Sequence, residues 1–537
     1  MVARRTWWAL CVALVAYPWL HPVARGPSIT VEPLLVGWAC CAMLLGLVAG
    51  RFKFRISRSL LIAGIAFIAM LIGSWIARAE PWGLASTEGA GFAIVVVIAC
   101  AGVSASLPDD RSRSAIAWGW AAAAVGSAIA AALQYAGVER WLHGAVAPTI
   151  AHQAVANLRQ KNQLASLLAI GLASIAWLMA FHPARKLLLL GCGAIVCAGL
   201  ALTASRTGIV EFAALCALWF VWRRSSPRAF IWLAIAAATY VLAIFAAAWL
   251  HSGSSQDLAP LLARLAGDAP DCQGRRVLWS SVIELIRDHP WSGIGWGEFP
   301  LAMYSSAHVP HFCALVENAH DLPLHIAVEL GVPAAIVFVV AIAGFAWKLE
   351  PWREQDRTKQ LGWAVIAVLV VHSALEYPLW YSPFQAALGL ALGFAAKDLH
   401  CTKEGKLIPL VAALAMSCIV AIAAWEYARV TQLFMPPQAR WASLRQDPFD
   451  KLGTGLVYRD QIAFARLMVT PVTPQTAETV FDLSGRLMHF SPEPRVIERR
   501  IESALILGRA HEAKSEAERY SRAYPVEWTA WKAAHPM

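Results

Sequence analysis

The chain has 537 residues, of which 58% are apolar and only 15% charged, with 25 tryptophans and a formal net charge of +10 at pH 7; its mean hydropathy is +0.53. A soluble domain carries about 25% charged residues, so this composition excludes a soluble enzyme and predicts an all-α, polytopic membrane protein. The positive charge is scattered through short loops and forms no single patch, which argues against nucleic-acid binding.

A bilayer core about 30 Å thick is crossed by roughly 20 apolar residues in helical form. Apolar runs predict helices over 7–20, 29–49, 59–77, 89–107, 114–137, 163–181, 187–204, 207–222, 228–250, 321–347, 361–377, 383–396 and 407–428, or about 12 to 13 transmembrane helices. HPVARGPS follows the first run with no small-x-small cleavage site, so that run reads as a span and not a cleaved signal. With the N-terminus cytoplasmic, the segments assigned inside (MVARR, RFKFRISR, DDRSR, HPARK, RRSSPR, KLEPWREQDRTK, KDLHCTKEGK) carry 20 Lys and Arg, against six in the short outside loops. Basic residues resist translocation, so the loop 251–320 and the tail 429–537 face the periplasm or cell exterior. The expected organisation is a membrane domain over 1–428, including that loop, and a periplasmic helical domain over 429–537.

Within the outer loop, a polar start (HSGSSQD) leads into GRRVLWSSVIELIRDHP, where Val277, Leu278, Ile283, Leu285 and Ile286 are spaced as an interfacial helix. WSGIGWGEFP, rich in aromatics and glycine, suits the water–lipid boundary. Nine of the 11 cysteines fall in predicted helices or at Cys401, leaving Cys272 and Cys313 as the pair in the oxidising compartment. They form either a disulfide or two free thiols, because Cα separation decides which. In the tail, VIERRIESALILGRA and HEAKSEAERYSRAYP read as an antiparallel helical pair resembling one tetratricopeptide-type hairpin, with an upstream pair over 455–489.

Polar residues gather at the outer ends of the runs. In LRQKNQLASLLAIGLA, Arg159, Gln160, Lys161, Asn162 and Gln163 stand where a helix begins, a place suited to an anion and also to a snorkelling anchor. Arg206, between Ser205 and Thr207, fits an interface anchor or a bidentate phosphate ligand. Arg275 and Arg276 are either a diphosphate clamp or solvated loop residues. In VENAHDLPLH, His320 and Leu324 share one helical face, whereas Asp321, His325 and Glu329 form an i, i+4, i+8 stripe suited to helix–helix hydrogen bonding. His372 and Glu376 lie one turn apart near an outer helix end, as a functional pair or as packing. His308 and His311 form an H-x-x-H, but the chain has no D-x-D pair, which disfavours a diphosphate-bridging metal. Nor does it contain a P-loop, a nucleophile elbow or a Rossmann glycine pattern, so nucleotide-driven and soluble-cofactor chemistry is disfavoured.

Four motifs in order, RQKNQLASLLAIGLA, LTASRTG, GRRVLWSSVIELIRDHPWSGIGWGEF with ENAHDLPLHIAVELGVP, and HSALEYPLWYSPF, resemble the O-antigen ligase and polymerase superfamily. The H-x-x-x-E-Y-P-L stretch and the helical tail are similar to its bacterial pilin- and protein-glycosylation ligases, the PglL-type O-linked oligosaccharyltransferases. The resemblance spans essentially the whole chain and is strongest over 150–385. Asp321 departs from it, standing where many members carry asparagine. It implies a GT-C-like fold in the bacterial inner membrane with a periplasm-facing site. The implied reaction is transfer of a preassembled glycan from undecaprenyl diphosphate to a Ser or Thr hydroxyl of a periplasmic protein or pilin, among membrane lipids, without cofactor or metal. An imidazole, titrating near about 6.5, suits deprotonation of a hydroxyl at neutral pH, and the resemblance makes His320 that base. Arg159, Arg206, Arg275 and Arg276 would then hold the diphosphate, with Gln160, Asn162, Asn318, His372 and Glu376 positioning substrate. An O-antigen ligase or polymerase, acting on a sugar hydroxyl, and a lipid-linked glycan transporter are the alternatives.

Overall fold

The computed structural model describes residues 2–22, 27–77, 84–142, 144–149, 153–224, 227–252, 272, 274–307, 312–396 and 401–535. The H-x-x-H pair His308 and His311 and most of the HSGSSQD segment lie outside them. In chain order the helices are α1 (Val2–Leu20), α2 (Val31–Arg51), α3 (Arg58–Ile76), α4 (Leu84–Ala105), α5 (Asp110–Tyr135), α6 (Lys161–Phe181), α7 (Lys186–Leu202), α8 (Arg206–Val221) and α9 (Pro227–Ser252). Then come α10 (Arg275–Asp288), α11 (Phe299–Ser305), α12 (Leu322–Leu330), α13 (Val332–Leu349), α14 (Arg357–Ser373), α15 (Ser382–Ala395) and α16 (Leu407–Val430). The tail adds α17 (Pro448–Leu452), α18 (Arg459–Val469), α19 (Ala477–Leu487), α20 (Pro494–Ile506), α21 (Ala510–Ala523) and α22 (Pro525–Ala534).

The chain is an all-α, multi-pass membrane protein. Among the described residues, eight helices are long and apolar enough to cross a bilayer, those built on α2 to α7, α13 and α16. Other predicted runs form shorter helices: α8 has 16 residues and α15 has 14. At about 1.5 Å per residue these cover about 24 and 21 Å, less than the bilayer core.

Two compact units make up the fold, one of residues 1–65, 93–267 and 344–421, the other of 66–92, 268–343 and 422–537. The tail therefore shares a unit with much of the outer loop. At the centre of the first unit stands α6, buried continuously from Asn162 to Leu178, as a helix apolar on every side must be. Around it pack α5, α7, α8 and α14. Two loops that sequence alone treats as plain connections pair as antiparallel strands, β1 (Phe54–Ser57) and β2 (Cys401–Glu404), with Phe54 opposite Glu404. Backbone pairing holds both basic loops on one side of the bilayer, so the chain between them crosses an even number of times.

In the second unit α10, the amphipathic helix expected in the loop, packs on α12 through Leu278, Val282 and Leu285, with Phe299, Met303, Val316, Ala319 and Val328 completing that core. Cys272 and Cys313 are joined by a disulfide with a Cα separation of 5.5 Å. In the tail, α18 to α22 pack in sequence order, α20 and α21 forming the hairpin that the periodicity predicts.

The single helix expected over 321–347 is broken. Gly331, at φ +90°, separates α12 from α13. The cause lies in WSGIGW: the Ile294 and Gly295 amides donate to the Val328 and Glu329 carbonyls at 2.9 Å each, and Val332 N donates to Pro290 O at 2.8 Å. A Cβ on Gly331 would stand 2.2 Å from the Trp291 carbonyl oxygen, so this backbone approach requires glycine. Gly331→Ala is expected to destabilise the protein by about 2 kcal/mol or more, read as a lowered unfolding midpoint in detergent; an unchanged midpoint would show that the break tolerates a side chain.

Candidate active site

In the first unit, two helix starts are joined by side chains. Gln160 caps α6, its side-chain oxygen accepting from Gln163 N at 2.6 Å, and Ser205 caps α8, accepting from Gly208 N at 3.0 Å. Ser205 Oγ also donates to Asn162 Oδ1 at 2.7 Å, and Asn162 Nδ2 donates to Glu376 Oε1 at 3.0 Å. Asn162 thus ties the first turn of α6 to the cap of α8 and to the turn after α14. Glycine at 208 permits the approach, since a Cβ there would lie 2.7 Å from that of Ala165. Asn162, Ser205 and Glu376 are all buried. Half-buried Arg159 and exposed Arg206 stand at these two helix starts.

One turn deeper lies a cluster that sequence reasoning missed. Ser166 Oγ is 2.5 Å from Glu211 Oε1 and 2.6 Å from His372 Nδ1, and it donates to Asn162 O at 3.1 Å. His372 and Glu211 are 1% and 0% exposed. His372 thus lies inside the bundle, one turn before Glu376 and held on Ser166. The missed signal was the carboxylate in TGIVEFAALCALWF, because an ionisable group inside an apolar run needs a partner.

The second unit holds His320, Asn318, Arg275 and Arg276. His320 does not share a helical face with Leu324, because α12 begins at Leu322. Instead it occupies the left-handed region, φ +53°, a conformation that costs a non-glycine residue about 1–3 kcal/mol. It is fixed on both sides. Ala319 is fully buried, its carbonyl accepting from Trp279 Nε1 at 3.0 Å, while Asp321 caps α12 by accepting from Leu324 N at 2.8 Å. Buried Asn318 accepts from His320 N through Oδ1 at 3.2 Å. Burial pushes the Asp321 carboxyl above its ordinary range, opposed by the Leu324 hydrogen bond. Asparagine caps equally well, so the departure at Asp321 preserves the local fold.

The expected polar stripe also resolves differently. Asp321 is a cap, whereas His325 Nε2 lies 3.4 Å from Glu329 Oε2. Glu329 Oε1 accepts from the amides of Gly297 and Phe299 at 3.0 and 3.2 Å. The stripe holds a loop and not a second helix. Arg275 and Arg276, expected ahead of α10, form its first turn and are exposed.

Two regularities follow. All four arginines lie within two residues of a helix start, where the macrodipole disfavours a cation by about 0.3–1 kcal/mol and favours an anion. Among the described residues six non-glycine positions are left-handed, and four of these, Ala156, Arg159, Ala204 and His320, are candidate residues or within three positions of one. Such strain concentrates at functional sites.

A family model described as protein glycosylation ligase matches residues 154–179, one described as O-antigen ligase matches 191–339, and one described as virulence factor membrane-bound polymerase, C-terminal, matches 360–537. The general O-oligosaccharyltransferase of Acinetobacter baylyi is 21% identical over 406 residues, 72% of this chain and 68% of that protein. The three matches follow one another without overlap and among them take in Arg159, Asn162, Arg206, His320 and Glu376. In these segments the chain is similar to the O-antigen ligases, the membrane-bound polymerases and the protein glycosylation ligases, and over 72% of its length to an O-oligosaccharyltransferase.

Proposed function

We propose that the protein is a glycosyltransferase, a protein O-oligosaccharyltransferase that moves a preassembled glycan en bloc from undecaprenyl diphosphate to Ser or Thr hydroxyls of periplasmic or pilin proteins, at the periplasmic face of the bacterial inner membrane. The observation that carries the reading is the node at Asn162, where two capped helix starts flanked by arginines are hydrogen-bonded to each other and to Glu376. Amide groups at helix starts, together with guanidinium forks, are an anion-binding chemistry. A diphosphate leaves readily once its growing negative charge is stabilised, so arginines Arg159, Arg206, Arg275 and Arg276 serve in place of a metal.

In the proposed reaction the acceptor oxygen attacks the anomeric carbon as its proton passes to His320. The bond from that carbon to the diphosphate oxygen breaks, and undecaprenyl diphosphate departs with the electron pair. A single displacement inverts the anomeric centre. The strained, doubly fixed backbone of His320 supports its role as base, since pre-organisation of a reacting group is what such strain provides. Gln160, Asn162, Asn318, His372 and Glu376 position the substrates, His372 by way of Ser166 and Asn162.

The decisive experiment incubates the purified protein with undecaprenyl-diphosphate-linked glycan and a panel of periplasmic acceptors. Glycan on protein is expected. Product on lipid A core, or lengthened polymer, would move the assignment to the O-antigen ligase or polymerase that two of the matching families are named for. His320→Ala, folded and still binding donor, is expected to lose about 10²–10⁴-fold in transfer rate, and undiminished transfer would remove it from the mechanism. Arg206→Ala or Arg159→Ala is expected to raise the donor KM about tenfold or more, the worth of a charge-assisted hydrogen bond; unaltered donor kinetics in every arginine variant would place the diphosphate elsewhere.

A further inference from the structure

Helix α11 has only seven residues and belongs to two cores at once. Phe299 and Met303 are buried with Leu278, Val282, Val316 and Ala319, and His320 is the next residue along the chain. Tyr304, 4% exposed, is buried instead with Tyr520 and Tyr524 of the tail, where Leu301 also packs. This short helix is therefore an apolar bridge between the tail and the segment that carries His320.

Polar contacts fasten the bridge at both ends. The Tyr304 hydroxyl donates to Glu516 Oε2 at 3.1 Å, and Glu516 Oε1 accepts from Arg519 Nη1 at 2.8 Å. Burial first, then the Glu516 carboxylate, push the Tyr304 hydroxyl well above its ordinary range, so it is a donor at any working pH. One residue ahead of α11, Glu298 Oε2 lies 2.7 Å from His489 Nδ1. Glu329 accepts the Gly297 and Phe299 amides from the opposite side. The backbone from Gly297 to Tyr304 is thus clamped between α12 and the tail, all within one compact unit.

We propose that the C-terminal helices are a positioning element for the His320 loop, acting through Tyr304–Glu516 and Glu298–His489. The inference rests on the reading of His320 as base. It makes Tyr304, Glu298, His489 and Glu516 positioning residues, whose effect is felt in the chemical step and not in the choice of acceptor. A displacement of about 1 Å at a reacting group costs up to about 10²-fold in rate, and a lost clamp at α11 acts on that scale.

The test uses the full-length protein with undecaprenyl-diphosphate glycan and two acceptors of unrelated sequence. Tyr304→Phe keeps the buried ring and removes only the hydroxyl. It is expected to lower kcat about tenfold by the same factor on both acceptors, with donor and acceptor KM unchanged. Glu298→Ala should behave alike, and Glu298→Gln, which retains an acceptor for His489, should recover most of the loss. An acceptor KM that rises on one acceptor more than the other, at constant kcat, would overturn the proposal in favour of acceptor selection by the tail; so would unaltered kinetics in Tyr304→Phe and Glu298→Ala. His320→Ala in the same assay separates the two readings. Full activity there removes the base assignment itself, whereas an inactive His320→Ala beside normal Tyr304→Phe and Glu298→Ala variants removes only the positioning role.

Discussion

The hydrogen bonds of Asn162 are the contacts on which the first unit's polar architecture depends. Inside an apolar bundle water does not compensate a broken hydrogen bond, and a buried polar group without a partner costs about 1–3 kcal/mol. Asn162 meets this constraint by accepting from Ser205 and donating to Glu376. Since Ser205 is also the cap of α8 and Asn162 lies in the first turn of α6, satisfying one amide sets the spacing of two helix starts. Ser166 repeats the logic one turn deeper, linking Glu211 and His372 to the Asn162 carbonyl.

That arrangement is expensive locally. Arginines stand at helix starts, where the macrodipole opposes them, and the chain turns through left-handed positions at Ala156, Arg159 and Ala204. A sequence selected only for stability would place its cations in the last turns of its helices. The second unit shows the same preference at Arg275, Arg276 and His320. Its packing compensates: Ala319 is buried, Asp321 caps, and α11 is gripped from two sides. Strain at His320 persists because the residues on either side of it have no alternative place to go.

Most of the membrane fold was legible in sequence, because lipid demands long apolar helices and marks them by composition. The tail hairpin was legible for a related reason, its 3.6-residue period, and α20 and α21 formed where that period placed them. Arg159, Asn162, Arg206 and Glu376 could be singled out as polar residues bordering apolar runs. Their grouping could not, since Asn162 and Glu376 are 214 positions apart and no local pattern encodes such a contact. Ser166 was invisible, a serine in an apolar helix being unremarkable until a carboxylate faces it. His320 was misread as helical because the helical period of the residues after it extends back through it, whereas Asp321 ends that period by capping.

The sequence by itself determined the solvent and the class of fold, because hydropathy and residue chemistry act through local composition. Tertiary structure alone decided which polar residues are partners, that a single predicted helix breaks at Gly331 where the Trp291 carbonyl approaches it, and that the tail shares a unit with the His320 segment. These outcomes depend on close contact between residues far apart in the chain, and close contact is a property of packing.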